Sequence, residues 1–548
     1  MRRHPYSWRR AAAMLLLAAL GAPSLQAAET KPSIQQQIEQ LQQALEAQKA
    51  QLEAQQKLLE QQAALIEQLR QQAQQAGEAA DTAAKVTALE QTVAQAKLKE
   101  QESARVSIAN GRPTITSGDG RQSASLRAVV QLDMAHHEQD AAGPLTSDFR
   151  RGSVGGSGNR EIAAAQDLSD GAYFRRARMG FEGRLARDFD YRLMLELGGA
   201  GTEGPTRIND AWIAYSGFGP FRLQLGAFSP AANMEDSTSV EDLLFPERAT
   251  PSELSRTLAG ADGRIGFAVR GSGARWMSSL TLTTRTVNDA EVFDSQRAAV
   301  GRFGYLVATS DSYNVHLGTS GTKVFRPADQ GATASGARYP IRFRDRPEIR
   351  VDSTRLIDTG SLDADSAYAL GVELGMNWKN WLLQAENFWY GVERREPTTL
   401  PDPSFGGYYV QTSWVLTGER HRYNVANGSF QSPRARVPFS SQGGYGAWEL
   451  AVRYSHTDLD FHEGLAGTAA TADGVRGGVQ NIWTVGLNWY LNANFRLMLD
   501  YMRIDVDRLN PAGAGNMQPF GPPPGTPPLG VQIGQDLDVI ALRSQYAF

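Results

Sequence analysis

Beyond about residue 105 the chain alternates apolar and polar side chains with a period of two, in segments near ten residues long, and few folds accept that pattern. Phe221, Leu223, Leu225 and Ala227 share one strand face, and Arg222, Gln224 and Gly226 share the other. Tyr191, Leu193, Leu195 and Leu197 stand against Arg192 and Glu196 in the same way. So do Ile265, Phe267 and Val269 against Arg264 and Arg270, and Trp448, Leu450, Val452 and Tyr454 against Glu449 and Arg453. Successive side chains of a strand point to opposite faces, so each segment has a greasy side and an ionic side. In a soluble sandwich the greasy side is the core. In a transmembrane barrel it meets lipid, and the ionic side meets a wet lumen.

Three features select the barrel. Aromatic residues gather at strand ends (Tyr173, Trp212, Tyr215, Trp378, Trp381, Tyr454, Trp489, Tyr490 and Tyr501), as interfacial girdles require. Short turns such as Gly217–Pro220, Gly271–Gly273 and Lys379–Asn380 alternate with long loops. The chain also finishes a strand on Tyr546-Ala547-Phe548. Sixteen segments carry the alternation, near 124–136, 172–185, 190–198, 207–215, 221–228, 263–271, 276–286, 299–310, 313–325, 366–377, 381–394, 406–417, 446–458, 479–490, 494–506 and 535–548. An even count returns both barrel ends to one side, and sixteen strands enclose a lumen wide enough for water. The expected fold is an all-β transmembrane barrel of 16 antiparallel strands over residues 105–548.

The N-terminus obeys different rules. Arg2, Arg3, Arg9 and Arg10 precede an apolar run from Ala11 to Ala22 and a small-residue cleavage site near Ala27, so residues 1–27 read as a secretory signal. From 34 to about 76, Ile38, Leu45, Leu52, Leu59 and Ile66 recur at sevens, with Leu41 and Leu69 on the second seam. Gln48, Gln55 and Gln62 share that second seam and weaken the core while specifying register. A shorter helical segment follows around Val86, Leu89 and Val93. Residues 28–104 are therefore expected to form an α-helical coiled coil and linker, placed in the periplasm. A Gln-rich single helix is the plainer reading of the same residues.

Basic residues are divided unevenly. Residues 28–100 hold six lysines and only Arg70, whereas from Gln101 onward there are two lysines, Lys323 and Lys379, and 42 arginines. A codon bias toward arginine would act on both regions alike and does not produce this contrast. Arginine offers a planar fork of donors suited to phosphate, sulfate or carboxylate. The densest run contains Arg338, Arg342, Arg344, Arg346, Arg350 and Arg355. Arg342, Arg344 and Arg346 are spaced by two and would point one way in extended backbone, as an anion ladder if lumenal or as a rim contacting lipopolysaccharide phosphates if not. On the second strand Arg176 and Arg178 are expected to face the lumen, with wall ion pairing as the alternative role. The loop Ser229–Ala259, the candidate constriction, holds Arg248 and Arg256 against six acids: Glu235, Asp236, Glu241, Asp242, Glu247 and Glu253.

Several stretches carry a resemblance. They are Phe174-Arg-Arg-Ala-Arg-Met-Gly-Phe-Glu-Gly-Arg-Leu, Asp210-Ala-Trp-Ile-Ala-Tyr, Phe221-Arg-Leu-Gln-Leu-Gly-Ala-Phe-Ser-Pro and Phe245-Pro-Glu-Arg. Arg346-Pro-Glu-Ile-Arg, Gly406-Gly-Tyr-Tyr-Val-Gln, Gly446-Ala-Trp-Glu-Leu-Ala-Val-Arg-Tyr and Gly486-Leu-Asn-Trp-Tyr follow in order. Together the chain resembles the phosphate-selective porin O and P family over nearly all of residues 120–548. The resemblance implies a homotrimeric outer-membrane porin with an inward third loop and an arginine ladder partly on the fifth, the position occupied here by Arg342, Arg344 and Arg346. It also implies a central lysine in phosphate-specific members, and Ser229–Ala259 contains none, so a general anion pore fits equally.

The expected function is passive diffusion of small anions, with phosphate and polyphosphate among the candidates, through an arginine-lined lumen. The alternative is a tether from the outer membrane to the cell wall through the coil, with non-selective conductance. The seven histidines fall in no nucleophile or metal motif, and the chain has no cysteine, so no catalytic residue, cofactor or metal site is expected. A net charge of −4 offers nothing to nucleic acid. The expected partners are membrane lipid and lipopolysaccharide, small anionic solutes and further copies of the chain.

Overall fold

The computed structural model describes residues 57, 60–68, 70–71, 79–109, 111–139, 168–198, 206–289, 292–331, 336–352, 354–511 and 530–548. They fall into two units, divided between Glu102 and Ser103. In the first, α1 (Ala79–Glu102) holds Val86, Leu89 and Val93 half-buried on one stripe, while the residues beside them are exposed. Residues 60–68 are also helical. The signal segment and the heptad positions Ile38, Leu41, Leu45, Leu52, Leu59 and Leu69 lie outside the described residues.

The second unit is a closed antiparallel barrel. Its sixteen strands are β1 (Ser123–Gln139), β2 (Gly171–Leu185), β3 (Phe189–Glu196), β4 (Arg207–Phe218), β5 (Phe221–Phe228), β6 (Arg264–Ser272), β7 (Trp276–Thr286) and β8 (Arg297–Thr309). They continue as β9 (Tyr313–Arg326), β10 (Leu362–Trp378), β11 (Trp381–Arg394), β12 (Ser404–Val415), β13 (Ala447–Phe461), β14 (Val475–Tyr490), β15 (Phe495–Asp507) and β16 (Asp536–Ala547). Each pairs with the next, and β16 returns to β1 with Val539 opposite His137, which leaves no open edge. A hairpin, Arg105–Ala109 with Arg112–Thr116, adds to the start of β1 through Thr114 opposite Ser125.

The alternation resolves as lipid outside. On β10, Leu370, Val372, Leu374, Met376 and Trp378 are exposed, and Ala369, Gly371, Glu373, Gly375 and Asn377 between them are buried. An aromatic band rings the short-turn end, with Trp381 stacked on Trp414 at 5.4 Å and Trp448 on Trp489 at 4.9 Å. Three of the aromatics expected to form girdles at strand ends do otherwise. Trp212 and Tyr490 share strand parity with lumenal residues and turn inward, and Tyr173 has a buried hydroxyl.

Two features depart from the expected plan. Six connections on the short-turn side have two to four residues, but the seventh, 416–446, is 31 residues long and enters the barrel. Arg302 of β8 donates to the carbonyls of Asn427 (2.6 Å) and Gly428 (2.8 Å), and His316 of β9 meets the Tyr423 hydroxyl at 2.7 Å. The lumen is also not polar throughout. The inner faces of β10–β12 and β13–β16 carry Ala367, Phe388, Tyr390, Phe405, Ile482, Ile504 and Val539, packed with Leu254, Ile341, Phe343 and Ile349 from inserted loops. These walls need apolar inner positions because loops, rather than water, lie against them.

Arg302 and Glu373 form a bidentate pair (both 2.8 Å) with fully buried side chains. Removing one partner leaves an uncompensated buried charge. Arg302→Ala is expected to lower unfolding stability by about 3–5 kcal/mol in denaturant titration from lipid, and the double replacement Arg302→Met with Glu373→Leu by much less.

Candidate functional site

The third long loop, L3 (residues 229–263), supplies two helices, α2 (Met234–Ser237) and α3 (Thr250–Ala259). Free backbone donors at a helix start need acceptors. At α2, Glu386 of β11 accepts from the amides of Met234 (2.8 Å) and Glu235 (3.1 Å), and the Asn233 side chain accepts from Asp236. At α3, Glu348 from the fifth long loop, L5 (residues 327–361), accepts from the Thr250 amide at 2.9 Å. The Tyr390 hydroxyl donates to the Pro251 carbonyl.

Between the two helices the loop tip crosses to the opposite wall. Phe245 packs beside Gly486, where a Cβ would come within 3.1 Å of its ring, so the glycine leaves it room. Arg496 donates to the carbonyls of Leu243 and Leu244, and Arg453 to that of Glu247. The Glu247 carboxylate meets Arg175 (2.7 Å), Arg543 (2.9 Å), Arg350 (3.3 Å) and Arg176 (3.8 Å). Burial opposes its charge, but those guanidiniums outweigh burial and hold the carboxyl well below its usual range.

The eight arginines singled out in the sequence separate into groups. Arg176 and Arg178 face inward; Arg178 pairs with Glu196 (2.8 Å) and Asp262 (2.7 Å). Arg248 is buried and donates to the carbonyls of Glu235, Asp236 and Thr238, and so braces L3. Arg256 joins Asp236 (2.6 Å), Glu253 (3.2 Å) and Asp262 (2.6 Å). Burial works against the Glu253 charge, yet Arg256, Arg350 and Arg248 bring its pKa down to about 2.

L5 enters the barrel beside L3, with Phe343 packed on Tyr390 and Phe405. Arg342 and Arg344 alternate with buried Ile341 and Phe343 and are exposed, while Arg346 is buried. The expected row of three therefore has two rungs on one side, because the chain leaves extended geometry on its way to Glu348, whose φ is +59°. Arg342 is bound by Asp358, and Arg350 by Glu247 and Glu253. Burial, with Arg346 and Arg344 nearby, lowers Arg355 to about 10.

Sequence reasoning missed four groups. Simple alternation puts Arg175 outside, but β2 bulges there, with Gln131 opposite Arg176 and Leu132 opposite Phe174, and both arginines turn inward. Arg302, Arg453 and Arg543 were legible by parity but stood in less dense runs. On the β3–β6 wall, Arg192 and Arg222 keep side-chain exposures of 32% and 33%, and Arg222 lies 4.9 Å from the Trp212 ring centroid. At the short-turn mouth, Arg112, Arg127, Arg422, Arg434 and Arg496 line a cavity of about 270 Å³.

A wall of paired arginines around inserted loops in a sixteen-stranded barrel is the geometry of a channel, and the family comparison decides which. The model of the phosphate-selective porin O and P family matches residues 157–522. The chain belongs to that family. It is an outer-membrane porin, so its short-turn side is periplasmic. Porin O of Pseudomonas aeruginosa is 24% identical over 361 residues, covering 63% of this chain and 78% of the relative. An uncharacterised protein of Caulobacter vibrioides is 26% identical over 417 residues, covering 74% and 73%. Among solved structures, an anion-selective porin from Comamonas acidovorans aligns at 12% identity with a TM-score of 0.43, over 78% of this chain and 100% of that one.

Two carboxyls of the inserted loops titrate near neutrality. Burial raises Glu235 of L3 to about 7 against Arg453 and Arg248, and raises Asp345 of L5 to about 7 against Arg350. Below that pH both are neutral and the lumen is more positive; above it both add negative charge. The anion-to-cation permeability ratio is expected to fall as pH rises from 5.5 to 8.5, read as a reversal potential in a KCl gradient. Glu235→Gln should flatten part of the change.

Proposed function

We propose that this porin passes small anions by passive diffusion along its β3–β6 wall, the side of the lumen that the inserted loops leave wettest. The observation that carries the reading is the exposure of Arg192 and Arg222, whose side chains are 32% and 33% accessible. Arg302, Arg453 and Arg543, by contrast, are at most 1% accessible. A guanidinium with water on one side can exchange a partner for a passing oxyanion, whereas a fully buried one cannot do so without breaking the fold. Arg342 and Arg344, exposed on L5, are further guanidiniums that the fold leaves in contact with water. Each rung has an acid close by (Glu182, Asp190, Asp210 or Asp358), which argues for weak, rapidly released binding. Phosphate and polyphosphate are among the solutes that suit planar guanidinium forks; the constriction loop has no lysine to add a stronger point charge.

The same reading takes the porin as a homotrimer with residues 28–104 in the periplasm, where a coil would self-associate or reach the cell wall. The contrast between its heptad spacing and the barrel's period of two supports a separate role for that region.

Purified protein in a planar bilayer should give stepwise conductance with an anion-selective reversal potential. Replacing both Arg192 and Arg222 with Ala should lower the anion-to-cation permeability ratio severalfold, and Arg342→Ala with Arg344→Ala by less. A cation-selective wild type would sink the reading. Deleting residues 34–100 should leave conductance intact and weaken trimers on unheated gels.

A further inference from the structure

The 416–446 segment carries a two-stranded hairpin into the barrel, with Arg422–Asn424 paired to Ser429–Gln431. Tyr423 stands opposite Phe430 in that register, and Arg422 opposite Gln431, so the two couples occupy opposite faces. The first face is docked. The Tyr423 hydroxyl meets His316 of β9 at 2.7 Å, and Phe430 packs with Met234 of L3 and Leu382 of β11. Gly375 of β10 leaves them room, since a Cβ there would come within 2.5 Å of the Phe430 ring. The ends of the hairpin are held as well. Arg302 takes the carbonyls of Asn427 and Gly428 at its tip, and the Ser432 amide donates to Asp242 of L3 at 2.8 Å.

The second face is left to water. The segment holds four arginines, Arg420, Arg422, Arg434 and Arg436, and one acid, Glu419. The outer two arginines are bound, Arg420 to the Asp311 carbonyl and Arg436 to the Gly418 carbonyl at 2.7 Å. The inner two, Arg422 and Arg434, are exposed, and their side chains have no hydrogen bond or ion pair among the described residues. Both line the cavity of about 270 Å³ at the short-turn mouth. Of the acids there, Glu241 is taken by Arg127 at 3.0 Å, and Asp242 already accepts from Ser432. Burial lowers the Arg422 pKa, and repulsion from Arg434 lowers it further by more than the attraction of Asp242 raises it. A wet cation repelled by its neighbour gains from an arriving anion.

We propose that this hairpin is the periplasmic half of the constriction, a fixed arm that sets Arg422 and Arg434 in the exit as specificity-determining residues for small anions. Its docked face keeps the arm still, and its free face supplies the charge. An anion leaving the level of L3 meets these two guanidiniums in a cavity that Arg127 of β1 also lines. The inference rests on the anion-pore reading and adds a second charge-selective zone to it, built from a connection rather than from the wall.

The chain has no cysteine, so one introduced thiol is a unique target. Full-length Arg422→Cys is reconstituted in a planar bilayer, and its anion-to-cation permeability ratio is read from the reversal potential in a KCl gradient. The thiol is then modified with a cationic or an anionic methanethiosulfonate. Loss of the guanidinium should lower the ratio about twofold, the effect of one charge acting across several ångströms of water. The cationic reagent should restore the ratio, and the anionic one should lower it about twofold again. Arg434→Cys carries the same series if Arg422→Cys does not insert. A ratio indifferent to the charge at both positions would overturn the proposal. That indifference in an anion-selective wild type sinks only the role of the hairpin. A cation-selective wild type sinks the transport reading, and a ratio that still follows the introduced charge upholds the exit residues.

Discussion

The structure depends on how a barrel interior carries so much arginine. A guanidinium withdrawn from water must be met by carboxylates or carbonyls, because its desolvation is not repaid otherwise. The chain meets this demand with long-range partners: Arg543 of β16 with Asp133 of β1, Arg302 of β8 with Glu373 of β10, and Arg453 of β13 with Glu235 and Glu348 of the inserted loops. These pairs join wall to wall and wall to loop. They fix the positions of L3 and L5 more firmly than loop-internal contacts could.

The same demand explains why the six acids of L3 did not spoil a lumen built from arginine. Read as a list, six carboxylates against Arg248 and Arg256 suggest a cation filter. In place, Glu241 meets Arg127, Glu247 meets its four arginines, and Asp236 and Glu253 share Arg256. Most of the acids are thus structural counter-ions to arginines on the wall strands or within the inserted loops, and they contribute little free negative charge to a passing solute. The inserted 416–446 segment repeats the device from the periplasmic side, where Arg302 holds its turn and Glu449 holds His421 at 2.5 Å.

Strand number, strand limits and the outward apolar face were legible because alternation records which side meets lipid, and every strand reports it. What alternation could not record is what fills the inside. Phe388, Ile482 and Val539 look like strand residues with both faces apolar, and only the packing of Leu254 and Phe343 against them gives the reason. The bulge that turns Arg175 inward adds one residue to one strand and has no sequence mark beyond two adjacent arginines. The length of 416–446 was visible, but nothing in its composition said that it would turn into the barrel. The row Arg342, Arg344 and Arg346 was read on the assumption of continuous extended backbone, and the loop keeps that geometry only for its first two members.

Arginine rather than lysine is the consequence of this arrangement. A buried wall cation here commonly serves two or three acceptors at fixed angles: Arg302 binds both oxygens of Glu373 and two backbone carbonyls at once. An ammonium could not hold a carboxylate in parallel or keep that orientation. Residues 28–100, ahead of the barrel in the chain, have no lumen to line, and there the basic residues are lysines but for Arg70. The segregation along the chain is therefore first a record of which cations must be buried. In the proposed transport role, anion preference would then follow from the few guanidiniums that the fold leaves wet, chiefly Arg192 and Arg222 over Trp212, where the aromatic face holds the cation in place without neutralising it.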